Sequence, residues 1–213
     1  MKKHLMAALV LLLAFSLGGC LDSDDDTKDG STSNPQVRLS LASDTGSLGS
    51  LTLTLFPQQA PLTVENFLAY VDAGHYDGLV FHRLAPGFVL QGGGFDLQGR
   101  QRPTRDPILN ESDNRLSNQK YTLAMDRTPA PHSATAQFYI NLDDNAMLDY
   151  RPATDTQEAE WGYAVFGEVT EGKPLLRLIE NLPTQNEALL VNLIIERAER
   201  IRPITTTPAG STP

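Results

Sequence analysis

The chain has 213 residues and a mass of 23.3 kDa, enough for one well-formed core and short for two. Apolar residues make up 40% and charged residues 20%, which excludes a wholly disordered chain and a polytopic membrane protein. Lys and Arg number 17 against 26 Asp and Glu, so no row of cations invites nucleic acid, and a single cysteine excludes both a disulfide framework and a cysteine-based zinc site.

Lys2 and Lys3 precede an apolar run from Leu5 to Leu17 that ends in Leu17-Gly18-Gly19-Cys20. As a helix this run spans roughly 20 Å, too short for a ~30 Å hydrocarbon core. Positive charge, a short apolar stretch and small residues together make a secretory signal peptide over residues 1–19. Leu-Gly-Gly-Cys resembles the lipobox of bacterial lipoproteins, which implies that Cys20 becomes the lipidated first residue of the mature chain. Leu21, rather than Asp, resembles lipoproteins sorted to an outer membrane, so the expected location is the cell envelope, lipid-anchored and facing the periplasm. Residues 21–35 carry five Asp and one apolar side chain. Such a segment buries too little surface to offset its ordering entropy, so residues 20–35 read as lipidated Cys and solvated tether. At the far end, 203–213 is rich in Thr, Pro and Gly and reads as a frayed tail.

The folded domain is expected over residues 36–202. Val37 to Leu41 and Leu51 to Leu55 each alternate with period two around Asp44-Thr45-Gly46-Ser47, which predicts a hairpin. Val64, Phe67, Leu68 and Val71 at i, i+3, i+4 and i+7, between Pro61 and Gly74, predict a helix of about three turns. Short apolar runs follow at Leu79–Arg83, Phe88–Gln91, Tyr121–Met125, Gln137–Asn141 and Tyr163–Val169. A second helical pattern puts Leu175, Leu178, Ile179 and Leu182 on one face, and Leu189–Ile201 reads as a closing strand. The expectation is a mainly β fold: a closed eight-stranded antiparallel barrel capped by two α-helices.

His75, His82 and His132 stand alone, without the spacing of a metal site. No Gly-x-Ser-x-Gly elbow is present, and Gly92-Gly93-Gly94 precedes neither Lys-Ser/Thr nor a helix, so a tight backbone approach or bulge is expected there. Metals, ATP and flavins have no visible place to bind, and no cofactor is expected. Covalent catalysis has no agent.

Phe81-His82-Arg83-Leu84-Ala85-Pro86-Gly87-Phe88-Val89-Leu90-Gln91-Gly92-Gly93 brings a cation, an aromatic ring and an amide together. This stretch resembles the cyclophilin pattern Phe-His-Arg-x-x-Pro-Gly-Phe-x-x-Gln-Gly-Gly. Further similarity runs through Pro61–Phe67, Tyr121–Met125, Ser133–Asn141, Asn145–Asp149 and Gly162–Val169, covering roughly Val37 to Ile201. Pro107–Asn114 and Tyr163 are similar to the periplasmic bacterial branch. The resemblance implies the same capped eight-stranded barrel and a peptidyl-prolyl cis-trans isomerase that acts on proline-containing unfolded or extended polypeptides, as a monomer assisting folding in the envelope.

By motif position, the resemblance makes Arg83 the group that favours the twisted amide, with Phe88 and Gln91 beside it as catalytic positions. Phe88, Tyr139, Met147 and Leu148 would form the proline slot, with Val89 and Tyr163 at its edge. Gln137 would hydrogen-bond the substrate backbone, and Ala124, Asp126 and Arg127 sit where the family pairs its strand with the substrate. Three residues depart from the family pattern. Asp126 stands where Ala is usual, and reads as an exposed turn residue or as a partner of Arg127 or Arg83. Met147 replaces Trp or Phe, which implies weak binding of cyclosporin-type inhibitors. Tyr139 replaces Phe and adds a hydroxyl expected to reach water.

Two other functions compete: a cyclophilin-fold module that grips proline-containing segments without turning them over, and a barrel that holds a small ligand inside. Bulky apolar residues on the strands predict a filled interior instead of the latter. The catalytic reading needs Arg83 directed at the slot and not locked to a carboxylate.

Overall fold

The computed structural model describes residues 34–201. The signal peptide read over 1–19, Cys20, the tether as far as residue 33 and the tail at 203–213 lie outside the described residues.

Alternation builds the first hairpin as expected. In β1 (Gln36–Ser43) Val37, Leu39 and Leu41 are fully buried, and in β2 (Gly46–Leu55) so are Leu51, Leu53 and Leu55. Helix α1 (Pro61–Asp72) starts on Pro61 without a side-chain cap from its own N-terminus. Glu111, far along the chain, takes that role: its carboxylate accepts from the Leu62 and Thr63 backbone N–H groups at 3.1 and 2.8 Å and from the Thr63 hydroxyl at 2.7 Å. This satisfies helix donors that would otherwise be orphaned and places an anion at the positive end of the helix. Gly74, with φ 63, ends α1. Its N–H donates to the Val71 carbonyl and the next one, of His75, donates to the Tyr70 carbonyl, a Schellman arrangement that needs a left-handed residue.

The remaining strands are β3 (Leu79–Ala85), β4 (Val89–Asp96), β5 (Thr122–Met125), β6 (Phe138–Asn141), β7 (Val165–Glu171), β8 (Thr184–Gln185), β9 (Ala188–Leu189) and β10 (Ile194–Ile201), with α2 (Lys173–Ile179) before β8. Around the barrel the order is β10-β1-β2-β7-β5-β6-β4-β3, every pair antiparallel, and β3 closes on β10 through Leu79↔Ile195 and Val80↔Ile194. That is the expected closed eight-stranded barrel with two helices. β8 and β9 form a small hairpin attached to the outside of β3.

Leu39, Leu53, Phe81, Phe138 and Phe166 fill the barrel, and α1 inserts Phe67, whose ring lies 5.1–5.5 Å from those of Tyr76, Phe138 and Phe166. Burying one such ring contributes about 1.5–3 kcal/mol. A barrel filled this way does not serve as an internal ligand cavity. Register shifts on either side of Phe81, which pairs with Gly92, leave Gly93-Gly94 bulged from β4 and His82 bulged from β3, as the glycine run implied.

Two elements differ from expectation. On α2 the buried pair is Leu176 and Ile179, while Leu178 is 70% exposed; the helix is short, and its apolar residues are too dense for spacing alone to select the face. Leu189–Ile201 is two pieces rather than one strand, because Leu189 ends the β8–β9 hairpin and β10 begins only at Ile194.

Candidate active site

Strand alternation gives this barrel a second face. On β6, Phe138 and Ile140 join the interior while Tyr139 between them faces out; on β5, Leu123 and Met125 face in and Ala124 out. The register aligns these outward positions. Arg83 pairs with Gln91, Gln91 with Tyr139, Tyr139 with Ala124, and Ala124 with Val165, one row across β3, β4, β6, β5 and β7. The row extends beyond Arg83 to Ala188 on β9. Four residues singled out from the sequence, spread over more than forty positions, thus become neighbours through strand pairing alone.

An apolar cluster separate from the interior forms along this row: Ala85, Val89, Ala124, Tyr139 and Val165 are buried, with Phe88, Leu116, Leu148 and Tyr163 packed against them. The Tyr139 and Tyr163 rings meet edge to face at 5.7 Å. The Tyr139 hydroxyl does not reach water as expected. It donates to Oδ1 of the fully buried Asn118 at 2.9 Å, and burial pushes its pKa well up, so the phenol keeps its proton. Asn118 in turn donates from Nδ2 to Asp149 and receives Nδ2 of Asn141, which ties the loop before β5 to the turn that carries Leu148. A buried hydroxyl without that partner would cost about 1–3 kcal/mol.

Arg83 is half-buried at the end of the cluster, its guanidinium carbon 5.7 Å from the centre of the Phe88 ring. Nη1 donates to Oε1 of Gln91 at 3.1 Å. The other end of the Gln91 amide donates from Nε2 to Oδ2 of Asp126 at 2.9 Å. Asp126 is therefore half-buried and hydrogen-bonded, not an exposed turn residue, and its partner is Gln91 rather than either arginine. Burial raises its pKa above the usual aspartate value, opposed by the Arg127 backbone N–H and the charges of Arg83 and Arg127.

Arg83 does meet a carboxylate. Nε donates to Oε2 of Glu187 at 2.8 Å, the side chains being 33% and 50% exposed. A pair this exposed is worth roughly 0.2–1 kcal/mol and is screened by salt. It holds the Nε edge of the guanidinium at low salt and is weak enough for salt to release it. Among the described residues Nη2 has no protein acceptor.

The other positions read from the sequence lie around this centre. Gln137 is half-buried and crosses above Gly94, where a Cβ would come within 2.6 Å of its side-chain carbon Cδ. Its carbonyl accepts the Asp126 N–H at 2.9 Å. Arg127 spends its guanidinium on the carbonyls of Gly162, Trp161 and Thr128 and lies 4.7 Å over the Tyr163 ring, so it braces that ring. Met147, in the turn of 3-10 helix at Ala146–Leu148, is 66% exposed and outside the packed cluster that Leu148 joins. Among the described residues no group of three His, Cys, Asp or Glu converges to hold a metal. Leu116, Asn118 and Glu187 were not anticipated; each lies in a stretch whose spacing carries no periodic signal.

Comparison with known proteins assigns the family. A family model for the cyclophilin type peptidyl-prolyl cis-trans isomerase/CLD covers residues 40–200. The peptidyl-prolyl cis-trans isomerase cyp18 of Streptomyces antibioticus is 53% identical over 65% of this chain and 81% of that protein. Peptidyl-prolyl cis-trans isomerase A of Dickeya dadantii is 39% identical over 87% of this chain and 88% of its own length, and isomerase B of Escherichia coli is 45% identical over 64% and 81%. A solved cyclophilin type isomerase of Cryptosporidium parvum shares the fold, with TM-score 0.64 and 24% identity over 80% of this chain and 99% of its own. The closed barrel, the outward row and the matched residues coincide on one stretch, and the chain belongs to the cyclophilin-type peptidyl-prolyl cis-trans isomerases.

Proposed function

We propose that this protein isomerises Xaa-Pro bonds of unfolded or extended polypeptides in the cell envelope, held to a membrane through lipid on Cys20. The uncatalysed bond turns with a barrier near ~20 kcal/mol because its C–N link is partly double, and relaxes in tens of seconds or more. No bond to the protein is needed; the site must bind the twisted amide better than either planar form. The proline ring seats among Phe88, Tyr139, Leu148, Val89 and Tyr163, with Met147 at the rim. Arg83 donates to the prolyl nitrogen as its lone pair localises, or stabilises the displaced carbonyl. Gln91, fixed by Asp126, holds Arg83, and Gln137 engages the substrate backbone while Arg127 braces Tyr163. Ala124, fully buried and paired on both sides, forms the floor beneath the slot rather than the edge for the substrate strand that the family resemblance implied. A barrier lowered by ~6 kcal/mol gives roughly four to five decades of rate, and a well-aimed cation beside an apolar slot supplies much of it.

The observation that carries this reading is the single cross-strand row joining Arg83 and Gln91 to Tyr139 and Ala124 in the slot. The Glu187 contact favours a second reading, a module that grips proline-containing segments without turning them over. Isomerisation of an Ala-Pro peptide above its spontaneous rate supports the first; binding without turnover supports the second. For the anchor and the envelope location the support is the Lys2–Cys20 segment. Metabolic labelling with a fatty acid should mark the protein and spare Cys20→Ser, and label surviving in the variant refutes lipidation there.

A further inference from the structure

Beyond the pairs Thr184↔Leu189 and Gln185↔Ala188 the β8–β9 hairpin turns through a two-residue tip, Asn186-Glu187, with φ 49 and 64. Both residues are left-handed, as in a type I′ turn, where Asn suits the first position and Gly dominates the second. Glu carries a Cβ into a conformation that costs an L-residue energy and costs glycine none. A strained side chain at a position open to glycine calls for something that the side chain supplies. Here it supplies the carboxylate on Nε of Arg83, at 2.8 Å.

The hairpin is docked on the strand segment that holds Arg83. Ala188 pairs with Arg83, and the Leu84 N–H donates to the Glu187 carbonyl at 2.8 Å. The carboxylate therefore arrives at a fixed point relative to the Arg83 backbone. A guanidinium has five N–H donors in one plane. Gln91 alone, holding Nη1, would leave that plane free to pivot; a second anchor at Nε fixes it, with Nη2 left for substrate.

We propose that Glu187 is a positioning residue for isomerisation: from the tip of β8–β9 it fixes the Nε edge of Arg83 and so aims the remaining donors at the proline slot. This inference rests on the reading of Arg83 as the group that acts on the amide. It makes the carboxylate contact a support of catalysis and not a block on it.

The test is Glu187→Gly in the full chain, since glycine relieves the turn and keeps the variant folded. At low salt kcat/KM should fall by up to about fivefold, the upper worth of an exposed ion pair, carried by kcat with KM little changed. The thermal midpoint should be equal or higher. The gap between wild type and variant should close near ~1 M salt, where such a pair is screened, which a purely steric role would not produce. The Arg83 Nε–H resonance, slow to exchange in the wild type, should exchange freely in the variant. A variant with equal or higher kcat/KM, in a wild type that turns over, overturns this inference alone. A wild type without turnover fails the isomerase reading, and this inference with it.

Discussion

The Gln91 amide donates from Nε2 to Asp126 at 2.9 Å, which obliges its oxygen to face the other way, onto Nη1 of Arg83. The acid that departs from the family pattern thus sets which end of the glutamine meets the arginine. It neither captures the arginine nor stands idle in solvent.

Asp126→Ala removes that acceptor, and Gln91 becomes free to turn its amide. A hydrogen bond to a charged group is worth about 1.5–3 kcal/mol, so kcat/KM on a proline peptide should fall by roughly one to two decades. Asp126→Asn keeps an acceptor oxygen and should lose less.

The same residue makes stability depend on pH. Its folded pKa is raised by burial, so below the usual aspartate value it is protonated in both states and costs nothing. As pH rises through the raised folded value, the unfolded chain is already ionised and the folded one is forced to follow, so the penalty becomes complete. Asp126→Asn should therefore melt above the wild type at neutral pH and converge with it in acid, read by calorimetry.

His75 and His82 have the opposite sense. Burial lowers both pKa values, and among the described residues neither His75 Nε2 nor His82 Nδ1 has a hydrogen-bond partner. Their neutral forms suit the fold, so their contribution is intact above the usual imidazole value. It is lost as pH falls through the depressed folded values, because the unfolded chain takes up protons first. Urea midpoints should drop between about pH 7 and 5, and the drop should flatten in a His75→Gln, His82→Gln double variant.

Gly94→Ala would place a methyl group 2.6 Å from Cδ of Gln137, a flexible side chain able to move aside. The expected result is a small stability loss, of order 1 kcal/mol, with a KM increase of a few-fold as Gln137 leaves its place. A circular dichroism melt beside steady-state kinetics separates the two.

Much of the barrel was legible in the sequence because Leu39 and Leu53, or Phe138 and Ile140, obey the two-residue period that strands impose. The site centre was legible through Arg83, Phe88 and Gln91, which occupy one short segment. The rest was not, for physical reasons. Leu176 and Leu178 are both apolar on a seven-residue helix, so only packing reveals which is buried. Asn186-Glu187 lacks the glycine that marks a tight hairpin tip, so β8–β9 and its carboxylate stayed hidden. Tyr139 pointed to a slot, but its hydroxyl partner, Asn118, comes from a loop whose fold depends on Asp149 far along the chain.

The most direct measurement is exchange spectroscopy on an Ala-Pro peptide with wild type and Arg83→Ala, at matched peptide occupancy. Loss of one well-placed electrostatic donor costs about 10²–10³ in rate. The variant should therefore retain peptide binding yet slow cis–trans exchange by that factor. Exchange in Arg83→Ala as fast as in the wild type would contradict the account.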